Sequence, residues 1–125
     1  MPIDPTLPYD DQNIFAKILR DEIPSRRVYE DEWAVAFHDI APHAPTHVLV
    51  IPRGAYVSWD DFAARGSEAE IAGFVRAVGT VARRLGLVES GYRLLANIGR
   101  DAGQEVPHLH VHLFAGRPLG PILAR

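Results

Sequence analysis

A chain of 125 residues, 47% apolar and 23% charged, is long enough for one domain with a real core, and its net charge of −3 lacks the basic excess of a protein that grips a nucleic-acid backbone. It contains no cysteine, which excludes disulfides, thiolate metal sites and a thiol nucleophile. No apolar run approaches the length of a membrane span, and Met1-Pro2-Ile3-Asp4-Pro5 lacks the basic-then-apolar order of a signal peptide, so the expectation is a cytoplasmic protein with neither membrane nor nucleic acid as partner.

Residues 1–11 carry three prolines and three acids and read as an extended, poorly ordered lead-in to a single domain over 12–125. Ile14, Phe15, Ile18 and Leu19 then recur on one side of a short helix for which Asn13 is the N-cap, and Pro24 bounds it. Residues 27–30 and 33–40 are two strands joined by the turn Asp31-Glu32, an antiparallel hairpin. Pro42 and Pro45 make 41–45 a loop. Thr46-His47-Val48-Leu49-Val50-Ile51 is almost wholly apolar, which predicts a strand buried on both faces in the middle of the sheet. Residues 57–65 read as irregular. Ser67 with Glu70 forms a capping-box pattern ahead of the one long helix, about 18 residues from Glu68 to Leu85, with Gly86 ending it. A fourth strand covers 92–97, a polar loop with Gly99 and Gly103 covers 98–106, and Gly116 to Pro121 form a rigid irregular tail. The order predicts an α+β domain with a five-stranded, mainly antiparallel sheet, one long helix and one short N-terminal helix.

Half of the six histidines fall within His108-Leu109-His110-Val111-His112-Leu113-Phe114. On a strand, alternation places the three imidazoles on one face and Leu109, Val111 and Leu113 on the other. Three readings of such a row are open on residue chemistry alone. The histidines can be structural, although crowded imidazoles are poor core material compared with Val or Ile. They can bind a metal, with Asp39 or Glu105 completing the set. Or one imidazole can attack phosphorus while its neighbours hold the phosphoryl oxygens, with backbone N–H groups of the preceding loop 101–106 and the Asn97 side chain as further donors.

The row resembles the His-φ-His-φ-His-φ-φ signature of the histidine-triad (HIT) family. Asn13-Ile14-Phe15-Ala16-Lys17-Ile18, Phe37-His38-Asp39-Ile40, Pro45 to Pro52 and Gly103-Gln104-Glu105-Val106 are similar to its Hint branch, so the resemblance runs over about 13–121. It implies a homodimer whose two sheets join into one of ten strands. It also implies hydrolysis of purine nucleoside phosphoramidates or acyl-nucleotides to AMP, through a nucleotidyl-histidine intermediate and with no metal and no cofactor. The resemblance makes His110 the nucleophile, sets His112 on the α-phosphate with His108 beside it, and has His47 orient the attacking ring. It gives Asp39 the ribose hydroxyls, and gives the purine to Ile14, Phe15, Ile18, Phe37, His38 and Ile40. Asn97, Gly103 and Glu105, within the segment that includes Gln104 and Val106, take the phosphate and leaving-group side. Glu105 stands where eukaryotic members carry Ser, and the tail lacks their Trp-Pro-Pro ending; bacterial members share both features. The alternatives are a dinucleoside polyphosphate hydrolase of the same family and a nucleotide-binding regulator.

Overall fold

The computed structural model describes residues 3–123; Met1 and Pro2, at the head of the expected lead-in, and Ala124 and Arg125, at the end of the expected domain, lie outside them. In chain order the elements are α1 (Ile14–Leu19), β1 (Arg27–Glu30), β2 (Ala34–His38), β3 (Thr46–Pro52), α2 (Trp59–Arg65), α3 (Glu68–Arg84), β4 (Arg93–Leu95) and β5 (Val111–Ala115). The five strands form one sheet in the order β1-β2-β3-β5-β4, and every pairing is antiparallel. The α+β reading of the sequence holds. The apolar run of β3 does sit in the middle, buried from His47 to Pro52.

Period-two alternation divides the sheet between two cores. Ala34, Ala36, Val48, Val50, Leu109, Val111, Leu113 and Ala115 face α2 and α3 and pack on Phe62, Phe74, Val78 and Val81. Val35, Phe37, Leu49 and Ile51 face the other way, against Phe15 and Ile18 of α1. Each fully buried Val, Leu, Ile or Phe contributes about 1.5–3 kcal/mol. The second face of the sheet is covered by only one short helix, α1.

Local chemistry fixes the helix ends. The Asn13 side chain accepts from the Ala16 N–H at 2.9 Å and starts α1. Ser67 and Glu70 close the capping box at the start of α3, and its far end is a Schellman turn: Gly86, at φ 71°, donates to the Arg83 carbonyl while Leu87 donates to Ala82.

Four expectations need correction. The fourth strand, expected over 92–97, is only the three residues Arg93–Leu95. Residues 59–65 are helical, not irregular: Ser58 accepts from the Asp61 N–H at 3.1 Å, and the Asp61 carboxylate accepts from the Val57 N–H at 2.9 Å, so the turn is capped from both sides. The second strand stops at His38 because the Asp39 carboxylate takes the Ala41 N–H at 2.8 Å and bends the chain. The histidine stretch is only half strand. Ladder pairing with β3 runs from Thr46↔Ala115 to Val50↔Val111, so His108, Leu109 and His110 precede β5. Residues 3–11 of the lead-in form no helix or strand but are tethered: the Ile3 N–H donates to the Gln104 carbonyl at 3.1 Å, and Tyr9 reaches His108.

Candidate active site

The face alternation expected of the histidine stretch holds through both of its halves: Leu109, Val111 and Leu113 enter the larger core, and the imidazoles gather on the α1 face. Cross-strand register brings His47 opposite Phe114 and Leu49 opposite His112, so the imidazole of His47 reaches its diagonal neighbour His112.

The hydrogen bonds assign a proton to one nitrogen of each ring, because a carbonyl can only accept and an N–H can only donate. His108 is fully buried (0% exposed); its Nε2 lies 2.8 Å from the Pro52 carbonyl and so carries the hydrogen, which leaves Nδ1 to accept from the Tyr9 hydroxyl at 2.6 Å. His110 donates from Nδ1 to the carbonyl of His108 at 2.8 Å, so its Nε2 holds a bare lone pair. His47 accepts at Nδ1 from the His43 N–H at 3.1 Å, so its Nε2–H points at His112 Nδ1, 2.9 Å away, with Asp39 Oδ2 at 3.5 Å. His112 is thereby an acceptor at Nδ1 and carries its hydrogen on Nε2. Around this chain, Phe15 meets His110 edge-on at 4.9 Å, and Phe114 stacks on His112, tilted by 2° at 5.5 Å.

Burial keeps the imidazoles neutral. It pushes His108 from 6.5 down to about 4, against the pull of the Pro52 carbonyl. It pushes His112 down to about 4 as well, helped by the neighbouring His110 and His47. His110 is lowered by burial, partly offset by the His108 carbonyl and by the charges of Asp39 and Glu105. His47 is lowered by burial, with Asp39 pulling the other way. A neutral His110 with a free Nε2 lone pair has the makings of a nucleophile, and a neutral His112 with Nε2–H those of a donor to an anionic oxygen.

The remaining candidates fall into three groups. Phe15, Ile18 and Phe37 are buried in the α1-side core, His38 and Asp39 are half-buried, Ile14 is exposed, and Ile40 is 99% exposed. Asp39 thus serves as a loop cap and as a charge beside His47 at once. In the loop before the row, Gln104 is buried and its amide is fully occupied: Oε1 accepts from the Gly99 N–H at 2.9 Å, and Nε2 donates to the carbonyls of Val57 and Val106 at 2.8 and 3.1 Å. The N–H groups of Gly103 and Gln104 donate to the Arg100 and Gly99 carbonyls, both at 3.0 Å, so they are not free donors for a phosphate as the sequence suggested. The turn that needs Gly103 at φ 70° consumes them. Among the described residues, the N–H groups of Glu105 and Val106 have no such partner. Glu105 is exposed and Asn97 half-buried. Asp39, His47 and His112 are also a group that can hold a metal ion, with donor atoms within 4.8 Å of one another.

Sequence reasoning missed Tyr9, whose only signal is an aromatic residue within a proline-rich stretch, and Phe114 as a ring partner of His112. It also missed the bond from the His43 N–H that orients His47; of these contacts only that of Tyr9, across 99 positions, is non-local.

A model of the HIT domain family matches residues 20–119. A HIT-like protein of Azospirillum brasilense is 65% identical over 117 residues, covering 94% of this chain and 96% of its own. The purine nucleoside phosphoramidase of Escherichia coli K12 is 46% identical over 114 residues, covering 91% and 95%. Among solved structures, a histidine triad protein from Clostridium difficile superposes with a TM-score of 0.80 at 39% identity, covering 88% of this chain and 95% of that one.

Proposed function

The chain belongs to the HIT family, and from that premise we propose that it is a nucleotide hydrolase that releases AMP from purine nucleoside phosphoramidates and related acyl-nucleotides. The observation that carries this reading is the lone pair on His110 Nε2, freed because Nδ1–H is tied to the His108 carbonyl. The similarity to a phosphoramidase supports the choice of substrate class.

His110 Nε2 attacks the α-phosphorus of the bound nucleotide. The bond from phosphorus to the substrate nitrogen breaks, the amine leaves with a proton, and a nucleotidyl-histidine remains. Water then attacks the same phosphorus, breaks the bond to His110, and releases AMP with the ring neutral again. His112 Nε2–H is suited to a phosphoryl oxygen throughout, because His47 holds its other nitrogen. Asp39 takes the ribose hydroxyls through the oxygen not used to cap Ala41. Ile14, Phe15, Ile18, Phe37, His38 and Ile40 wall the purine. Asn97, the Gly103 turn, Glu105 and the N–H groups of Glu105 and Val106 flank the phosphate and leaving group, while Gln104 holds the loop in shape.

The working unit is a homodimer in which β4 pairs with its copy. β4 is an edge strand of three residues, and beside it Trp59, Val75, Val78, Tyr92 and Leu94 line an apolar hollow of about 480 Å³. An unpaired edge flanked by exposed apolar side chains favours continuation of the sheet into a second copy.

The test is AMP release from an adenosine phosphoramidate. His110→Ala is expected to abolish turnover while keeping the wild-type unfolding transition; turnover that survives the change would remove His110 from the role of nucleophile.

A further inference from the structure

We propose that Tyr9, in the segment ahead of the first helix, is a positioning residue for His110, acting through His108. The observation is a relay of three hydrogen bonds. The Tyr9 hydroxyl donates to His108 Nδ1 at 2.6 Å, His108 Nε2–H donates to the Pro52 carbonyl at 2.8 Å, and the His108 carbonyl accepts from His110 Nδ1–H at 2.8 Å. The last bond leaves the lone pair of His110 on Nε2.

This segment needs an anchor because the sheet does not supply one. The β5 ladder begins at Val111, so the backbone of His108 to His110 lies outside it. What holds the segment is the Leu109 N–H on the Tyr56 carbonyl at 2.8 Å and the His108 ring, clamped between Tyr9 and Pro52. His108 is 0% exposed, so without the phenol its Nδ1 is a buried acceptor with no donor among the described residues. A ring in that condition can turn or draw in water, and either movement shifts the carbonyl that orients His110. Burial also raises the phenol pKa of Tyr9 above 10, so it stays an O–H donor across the neutral range. Tyr9 is itself held in place by the chain around it: Ile3 is bonded to Gln104, and the Asn13 N–H to the Asp10 carbonyl at 3.3 Å. The lead-in is thus part of the active-site wall.

The kinetic arm of the test rests on His110 as nucleophile; the spectroscopic arm does not. With imidazole nitrogens labelled in the full chain, NMR is expected to show His108 protonated at Nε2 and bare but hydrogen-bonded at Nδ1, with a slowly exchanging Tyr9 hydroxyl proton beside the ring. In Tyr9→Phe the Nδ1 resonance moves to the position of a free nitrogen, and kcat for AMP release falls about tenfold with KM changed less than about twofold. A residue that only stabilises the fold would lower the melting temperature and leave kcat intact below it. A wild-type kcat in folded Tyr9→Phe, or a wild-type His108 ring carrying its proton on Nδ1, overturns the proposal. The wild-type spectrum alone decides the second point should the variant not fold. Normal turnover in His110→Ala, with the Tyr9–His108 signature present, would instead defeat the nucleophile assignment.

Discussion

Lowering the pH from 7.5 to 5.5 is expected to weaken this fold well before its carboxylates begin to titrate. An unfolded histidine has a pKa of 6.5, whereas His108 in the folded chain is pushed down to about 4 by burial. Its folded pKa lies below its unfolded one, so the unfolded chain binds the proton first and stability falls as pH falls through 6.5. The loss continues until about pH 4, where the native ring also protonates. Within that window each such imidazole costs up to about 1.4 kcal/mol per pH unit. Integrated from 7.5 to 5.5, with the bend at 6.5, His108 accounts for about 1.3 kcal/mol. His112 is shifted as far but is half open to water, so screening reduces its share, and His47 and His110 act in the same direction. His108 and the screened share of His112 together make about 2 kcal/mol, a large part of the 5–15 kcal/mol typical of a small domain. Urea titrations at pH 7.5, 6.5 and 5.5, in buffers without phosphate, measure it directly through the midpoint at constant slope. A midpoint that stays level or rises as the pH drops would refute the reasoning, since it would mean the rings carry protons, or are open to water, in the native state.

The same burial shapes catalysis: kcat/KM at pH 5.5 should stay well above the roughly one-tenth of its neutral value expected of an unshifted imidazole nucleophile, and a tenfold drop would mean that His110 titrates normally. Prolonged chelation is expected to leave AMP release unchanged; loss of activity that zinc restores would place an ion on Asp39, His47 and His112 instead. Sedimentation at micromolar concentration is expected to give a dimer, and Leu94→Asp, at the exposed edge strand, a monomer with its fold intact; a wild-type monomer would contradict the pairing through β4.

The burial of β3 and the two-sided character of the histidine row were legible because they rest on alternation, and so were the starts of α1 and α3, which rest on side chains capping the nearest turn. At seven residues, with Phe62 its one buried side chain, α2 offers too short a period to stand out, even though Ser58 and Asp61 carried its capping signal. The early end of the β5 ladder was hidden for a different reason. Pro52 lacks an N–H, and its carbonyl takes the His108 ring, a contact across 56 positions that no local pattern encodes. The tautomers of two site histidines are likewise set by partners from remote segments, Tyr9 and Pro52 for His108 and β3 for His112, whereas His110 and His47 take theirs from the nearby His108 carbonyl and His43 N–H. Sequence thus placed the candidate histidines by type and spacing, while their proton positions came only from the fold.

The proposed role of His110 as nucleophile has a direct test. Mixing the protein with excess adenosine phosphoramidate, quenching within a turnover under conditions that preserve phosphorus–nitrogen bonds, and weighing the intact chain should reveal a species heavier by one adenylyl group, absent from His110→Ala. AMP formed at full rate with no such species at any quench time would mean that water attacks phosphorus directly.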